Sequence, residues 1–259
     1  MSFFSRITIV AALLCTSLSV SADNTDALIG EVLSLAGVGK QLEEISHFAK
    51  NEIETRKEAL AESDYRSLKN GMTSVFASEK LRQTVEKSLA QAARDARFAA
   101  WRDALKQPLI TKMAQLENQA SGEAAFRELS AYAEKLQQFP PPPARVDLVT
   151  RLAKATYATD LAMDSHIAVT KTLLRLINPS LPENKRLDAK KEERILTDLR
   201  SQLAENLKDV AMITYLYTYR DVSDEELNQY TALYETGPGQ WATESIVKAI
   251  RAALDVAVP

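Results

Sequence analysis

The chain of 259 residues carries 32 Lys and Arg against 35 Asp and Glu, a formal net charge of -3, with 46% hydrophobic and 26% charged residues. That length supports one large domain or two small ones with a real core, and the composition is that of a globular chain. The small acidic surplus is interspersed with apolar residues, so there is no electrostatic ground for binding nucleic acid or an anionic membrane.

Residues 1–22 read as a unit of their own. Arg6 supplies a positive flank, residues 7–14 are mostly apolar, and Val20 and Ala22 occupy the small-residue positions of a cleavage site. The apolar run is short for a ~20-residue membrane span. Leu14 stands where a lipoprotein signal needs a small residue before Cys15. A cleaved secretory signal is therefore expected, with cleavage after Ala22, a periplasmic location and no stable membrane anchor afterwards. Cleavage removes Cys15, the chain's one cysteine, so no disulfide, iron–sulfur cluster or thiolate zinc site is expected.

The mature chain opens on "LIGEVLSLAGVGKQLEEISHFAK" from Leu28, where Leu42, Ile45, Ala49 and Ile53 recur at helical spacing on one stripe. "LAGVGKQ" contains a Gly-Lys pair, yet it lacks the upstream glycine and the following Ser or Thr of a phosphate-binding loop, and no strand precedes it. It reads as a break between helices. The next punctuation is "FPPPPARVD" at 139–147, whose four prolines lack backbone N–H groups and favour an extended, semi-rigid path. It reads as a linker or hard stop rather than as a ligand for a proline-reading domain.

The segments on either side of this linker are related. "DLVTRLAKATYATDLAMDSHIAV" from Asp147 pairs Leu148 with Ile29, Leu152 with Leu33, Ala155 with Ala36, Leu161 with Leu42, Ser165 with Ser46, His166 with His47 and Ala168 with Ala49. "EKLR" at Glu79 pairs with "ENLK" at Glu205, and the match then fades. The expectation is an all-α chain of two helical repeats in tandem, 23–138 and 147–259, joined by a proline-rich linker at 139–146.

In the second repeat Leu196, Leu199, Leu203, Val210, Ile213 and Tyr217 continue one stripe, and "DVAMITYLYTYR" is predicted as a helix buried on most sides. "SDEEL" starts a new helix, with Ser223 as N-cap and Glu226 completing a capping box. Leu227, Tyr230, Leu233 and Tyr234 form its apolar face. Gly237 is then expected to end that helix in a left-handed conformation, Pro238 to forbid its continuation, and Gly239 to allow a tight turn into a last helix with Trp241 in the core.

The stretch "YTYRDVSDEELNQYTALYETGPGQWATESIVKAI" resembles the signature of the bacterial domain of unknown function 2059 family, and the "LIGEVLSLAGVGKQLEEI" opening is similar to that family's start. Asp224, Glu225, Glu226, Leu227, Leu233, Tyr234, Pro238, Gly239 and Gln240 match the pattern, while Gly237 stands where serine is expected. The resemblance implies an all-α, exported protein and brings no established activity or ligand.

Three constellations hold candidate chemistry. Glu244 before Ser245 resembles the acid of some lytic transglycosylases, without that family's downstream segment; this carries the alternative reading, a cell-wall hydrolase with Glu244 as acid. His47 and His166 without thiolates or a clear third ligand make a poor metal site. Tyr215, Tyr219, Tyr230, Tyr234 and Trp241 crowd the second repeat and form either core or a binding groove. The favoured expectation is an exported, non-enzymatic interaction or envelope-maintenance module, without cofactor or nucleic acid, whose partner is an envelope protein or peptide.

Overall fold

The computed structural model describes residues 22–121 and 123–258, apart from the side chains of Ala22, Asp23, Glu123, Ala124 and Phe126. All of the expected signal segment except Ala22 lies outside the described residues. Among those described, the helical periodicity resolves into α-helices joined by short turns, with no strand. None of these helices is long and apolar enough to cross a membrane.

Helix α1 (Ala22–Leu35) buries Thr25, Ile29, Val32 and Leu33. Gly37, at φ 69, breaks the chain before α2 (Val38–Glu54), which buries Leu42, Ser46, Ala49 and Ile53. The residue that caps α2 sits in left-handed space, where glycine pays no Cβ penalty. A 3-10 turn leads to α3 (Glu62–Val75), and α4 (Ser78–Leu89) follows. α5 (Ala96–Leu105) is capped by Asp95, whose side chain accepts from the Arg97 N–H, and α6 (Pro108–Gln119) starts on a proline. α7 (Glu123–Gln138) runs into the proline segment.

That segment is shorter than expected. Only residues 139–142 lie between helices, because Pro143 is the first residue of α8 (Pro143–Ala155). A proline at this position fits a helix start, since its missing N–H would be unpaired there anyway and its φ is preset. α9 (Ala158–Ile177) follows a second left-handed break, this time at Tyr157, φ 57. Two 3-10 turns lead to α10 (Ala189–Thr218), 30 residues long and capped by Asp188. α10 is buried all round only at its end, from Leu216 to Tyr219; earlier, Val210 is 49% exposed, so the helix is less enclosed than its apolar sequence suggests.

α11 (Asp224–Glu235) carries the full capping box between Ser223 and Glu226, and α12 (Gly237–Ala257) closes the chain. Gly237 has the expected positive φ of 53, but it opens α12 instead of closing α11, because Thr236 is extended and already turns the chain. Pro238 follows within the first turn of α12, where it costs no hydrogen bond. The role of Gly239 also differs from a turn. It is buried, and a Cβ there would meet the Leu233 backbone oxygen at 1.8 Å and Trp101 Cζ3 at 2.9 Å, so it lets α12 cross the end of α11 in near contact.

Positions at equal distances from the two left-handed breaks share their burial. Thr25, Ile29 and Val32 precede Gly37 as Arg145, Val149 and Leu152 precede Tyr157, all six buried. Leu42, Ser46, Ala49 and Ile53 match Leu161, Ser165, Ala168 and Thr172. Counted from the two breaks, Ile29 stands level with Val149, one residue from the Leu148 with which the sequence pairs it. α5 packs on α1 as α11 packs on α8.

The buried core is continuous across both halves. α12 packs most extensively against α4 and also lies on α5 and α9, while α6 touches α10 and α11. α12, and α6 and α7 at the end of the first half, therefore each lean on the other half, and the halves share one core rather than enclosing one each. α7 is laid over α10.

Candidate functional site

Tyr215 of α10 and Tyr219, which caps its C-terminus, stand one turn apart, as do Tyr230 and Tyr234 on α11, and the short link between the two helices brings four rings together. Ring centroids run in a ladder: Trp101 to Tyr234 at 5.4 Å, Tyr234 to Tyr230 at 5.2 Å, Tyr230 to Tyr219 at 6.0 Å and Tyr219 to Tyr215 at 5.8 Å. Tyr219 is 1% and Tyr230 3% exposed, while Tyr215 and Tyr234 are half-buried. This is packed core, its rings edge-on at Tyr234 and tilted at Tyr219, and not one open groove.

Trp241 is not in the ladder. It is half-buried beside Phe98, at 6.5 Å, with the Arg97 guanidinium 4.2 Å above its ring. The tryptophan in the core is Trp101, 1% exposed, whose Nε1 is buried without a hydrogen-bond partner among the described residues. The reason is positional: α5 is held between α1 and α12, whereas Trp241 enters α12 on the side that Arg97 covers.

Glu117 of α6 reaches into the tyrosines. Its Oε1 accepts from the Tyr219 hydroxyl at 2.6 Å and from the Tyr230 hydroxyl at 2.8 Å, and the Tyr230 and Tyr234 hydroxyls lie 3.0 Å apart. The residue keeps contact with solvent, yet protein crowds round the carboxylate. Lost hydration raises its pKa, outweighing the two hydrogen bonds and the field of Lys40 that oppose the rise. Burial also pushes Tyr215 up to about 12, against its hydrogen bond with Thr156, and holds Tyr219 and Tyr230 well above the phenol range. Nothing in the sequence marks Glu117: one Glu in "AQLENQ" looks like any solvated helix position.

The other sequence-marked residues lie apart. Ser223 and Glu226 cap α11, and Glu226 also pairs with Lys112 of α6 at 2.6 Å, which holds its pKa down. Glu244, on α12, accepts from Gln240 Nε2 one turn back at 3.2 Å, and the Ser245 hydroxyl donates to the Trp241 carbonyl. His47 is exposed; His166 is half-buried against Phe48, ring centroids 4.3 Å apart, and burial lowers its pKa. Among the described residues no group of three His, Cys, Asp or Glu is arranged to hold a metal ion.

A recess of about 480 Å³ lies elsewhere, where the proline segment meets the loop between α10 and α11. Pro140, Pro141 and Pro142 form one wall, Tyr132, Lys135, Leu136 and Phe139 another, and Leu216, Arg220, Val222, Ser223 and Asp224 a third. Its floor is built on Arg145, a buried cation of α8. Arg145 Nη1 meets Asp224 Oδ1 at 2.7 Å, and Nη2 donates to the Tyr219 carbonyl. That buried guanidinium ties the start of α8 to the start of α11 and so fixes the two sides of the recess. Arg220 lies over the Tyr217 ring at 4.2 Å, and its Nη1 donates to the Tyr217 carbonyl at 2.8 Å. Phe139, at the rim, is 67% exposed. The sequence reads the proline block as a linker and not as a site, and the opposing wall, far away along the chain, carries no local signal.

The chain matches no known protein family, no characterised protein and no solved structure.

Proposed function

We propose that the protein is an exported helical module, built from two related repeats, that works by holding an envelope protein or peptide rather than by catalysis. The shared burial pattern around Gly37 and Tyr157 supports the repeat reading, with the proline segment as the connection between the copies. The signal-like residues 1–22 and the resemblance to the domain of unknown function 2059 family support export.

The observation that carries the binding reading is the recess at the proline segment. Its size falls within the roughly 300–1,000 Å³ of ligand-binding clefts. Its surroundings combine cations held in place by Asp224 and Tyr217 with an apolar side chain, Phe139, left open to solvent. An exposed phenylalanine at the edge of a preformed recess is what a partner's surface can bury.

Site-specific photo-crosslinking in the producing cells tests this reading. A benzoylphenylalanine at Phe139 is expected to give a discrete adduct, whereas the same probe at Val256, also 67% exposed, gives none. Equal capture at both positions, or no adduct from 139, overturns the assignment.

A further inference from the structure

We infer that the recess selects acidic peptides, with a carboxylate between Lys135 and Arg220 and a neighbouring apolar side chain against Leu136 and Phe139; this rests on the recess being the partner's seat. Three cations line it, Lys135, Arg145 and Arg220, against one carboxylate, Asp224. Asp224 and Arg145 are paired at 2.7 Å, so their charges are spent on each other. Lys135 is exposed and has no ion pair or side-chain hydrogen bond among the described residues. Arg220 is fixed by the Tyr217 ring and carbonyl without being neutralised by them. The one carboxylate near it, Asp221, is 82% exposed at 3.6 Å, a contact worth little in water. The chain as a whole carries -3, so a surplus of positive charge at this one recess favours an anion locally.

The proline wall narrows the class further. Prolines offer carbonyl acceptors and no N–H donors, so this wall can take N–H groups from a peptide but cannot pair with its carbonyls as a strand would. Specificity is left to side chains: acid on the two cations, apolar group on Leu136 and Phe139. Such a peptide supplies N–H, carboxylate and hydrocarbon together.

The test is selection of random seven-residue peptides displayed on phage against the folded chain, followed by binding of the winners, made synthetically, to variants. Enriched peptides are expected to place Asp or Glu next to an apolar residue. Lys135→Gln, at an exposed and unpaired position, is expected to weaken them about two- to fivefold. The pair Lys135→Glu and Arg220→Glu is expected to abolish their binding and to select basic peptides instead, with melting temperatures checked alongside. Winners without acid, or winners indifferent to both variants, overturn the ligand class while leaving a binding module. Failure to enrich any peptide overturns the partner's seat itself.

Discussion

Replacing Gly239 by alanine adds one methyl group where two helices cross. That methyl would stand 1.8 Å from the Leu233 oxygen, 2.9 Å from the Leu233 carbonyl carbon and 2.9 Å from Trp101 Cζ3. Two of these atoms are backbone of α11, and the third belongs to a ring buried to 1% exposure, so none can swing aside. Restoring an ordinary contact requires α12 to part from α11 by roughly 1.5 Å, in an interior packed like an organic crystal. A gap of even ~0.5–1 Å forfeits a quarter to a half of each dispersion contact along the seam. Overpacking costs about 1–3 kcal/mol and more against backbone, and the better helix propensity of alanine returns only about 1 kcal/mol. The expected net loss is about 3 kcal/mol, which lowers the melting temperature by roughly 6–12 °C in a chain of this size. Gly237→Ala is the control. Its Cβ would meet nothing within 4 Å, and only the positive φ of 53 is penalised, at about 1 kcal/mol or ~2–4 °C. Thermal unfolding followed by far-ultraviolet circular dichroism measures both. A Gly239→Ala melting temperature within about 2 °C of the parent, or a greater loss from Gly237→Ala, refutes the account of the crossing.

The two tryptophans should separate in the same assay. Trp101→Ala is expected to cost about 3–5 kcal/mol as a core cavity, and Trp241→Ala, covered only by Arg97 and Phe98, clearly less; the reverse order would displace Trp101 from the core. Glu117→Gln probes the carboxylate among tyrosines. Its folded-state pKa is raised, so its contribution to stability is fully present below the unfolded value of 4.5 and is lost as pH rises through the folded value. The melting temperature of Glu117→Gln relative to the parent should therefore be more favourable at pH 7.5 than at pH 4, and a difference that does not change with pH would contradict the crowding of that group. Export can be read directly: N-terminal sequencing of the exported protein should begin at Asp23, and a start before Arg6 would remove both signal and compartment.

Local rules were legible where local chemistry decides. The capping box of Ser223 and Glu226 forms as the spacing requires, and Gly237 takes positive φ because a corner was needed there. Which helix owned that glycine was not legible, since it turned on the extended conformation of Thr236. Residue identity sets Ile29 against Leu148, whereas burial counted from the two left-handed breaks sets it level with Val149, a pattern that only packing reveals. Trp101 and Trp241 look alike in sequence; the packing of α12 on α5 makes one core and leaves the other beside Arg97. Glu117 and Arg145 were invisible for the same reason. Each is a charged residue whose partners come from other helices, Tyr219 and Tyr230 for one and Asp224 for the other.

The reciprocal leaning of the closing helices bears on how the chain acquires its structure in time. α4 and α5 find their principal cover in α12, whose residues are made long after theirs, so a ribosome-bound chain lacking 237–257 holds Leu81, Val85 and Phe98 without their final partner. Contacts between elements so distant in sequence close a large loop before they reward it, which slows folding. The first half is thereby kept from settling early, and a chain that must stay unfolded to cross a membrane would gain from that delay.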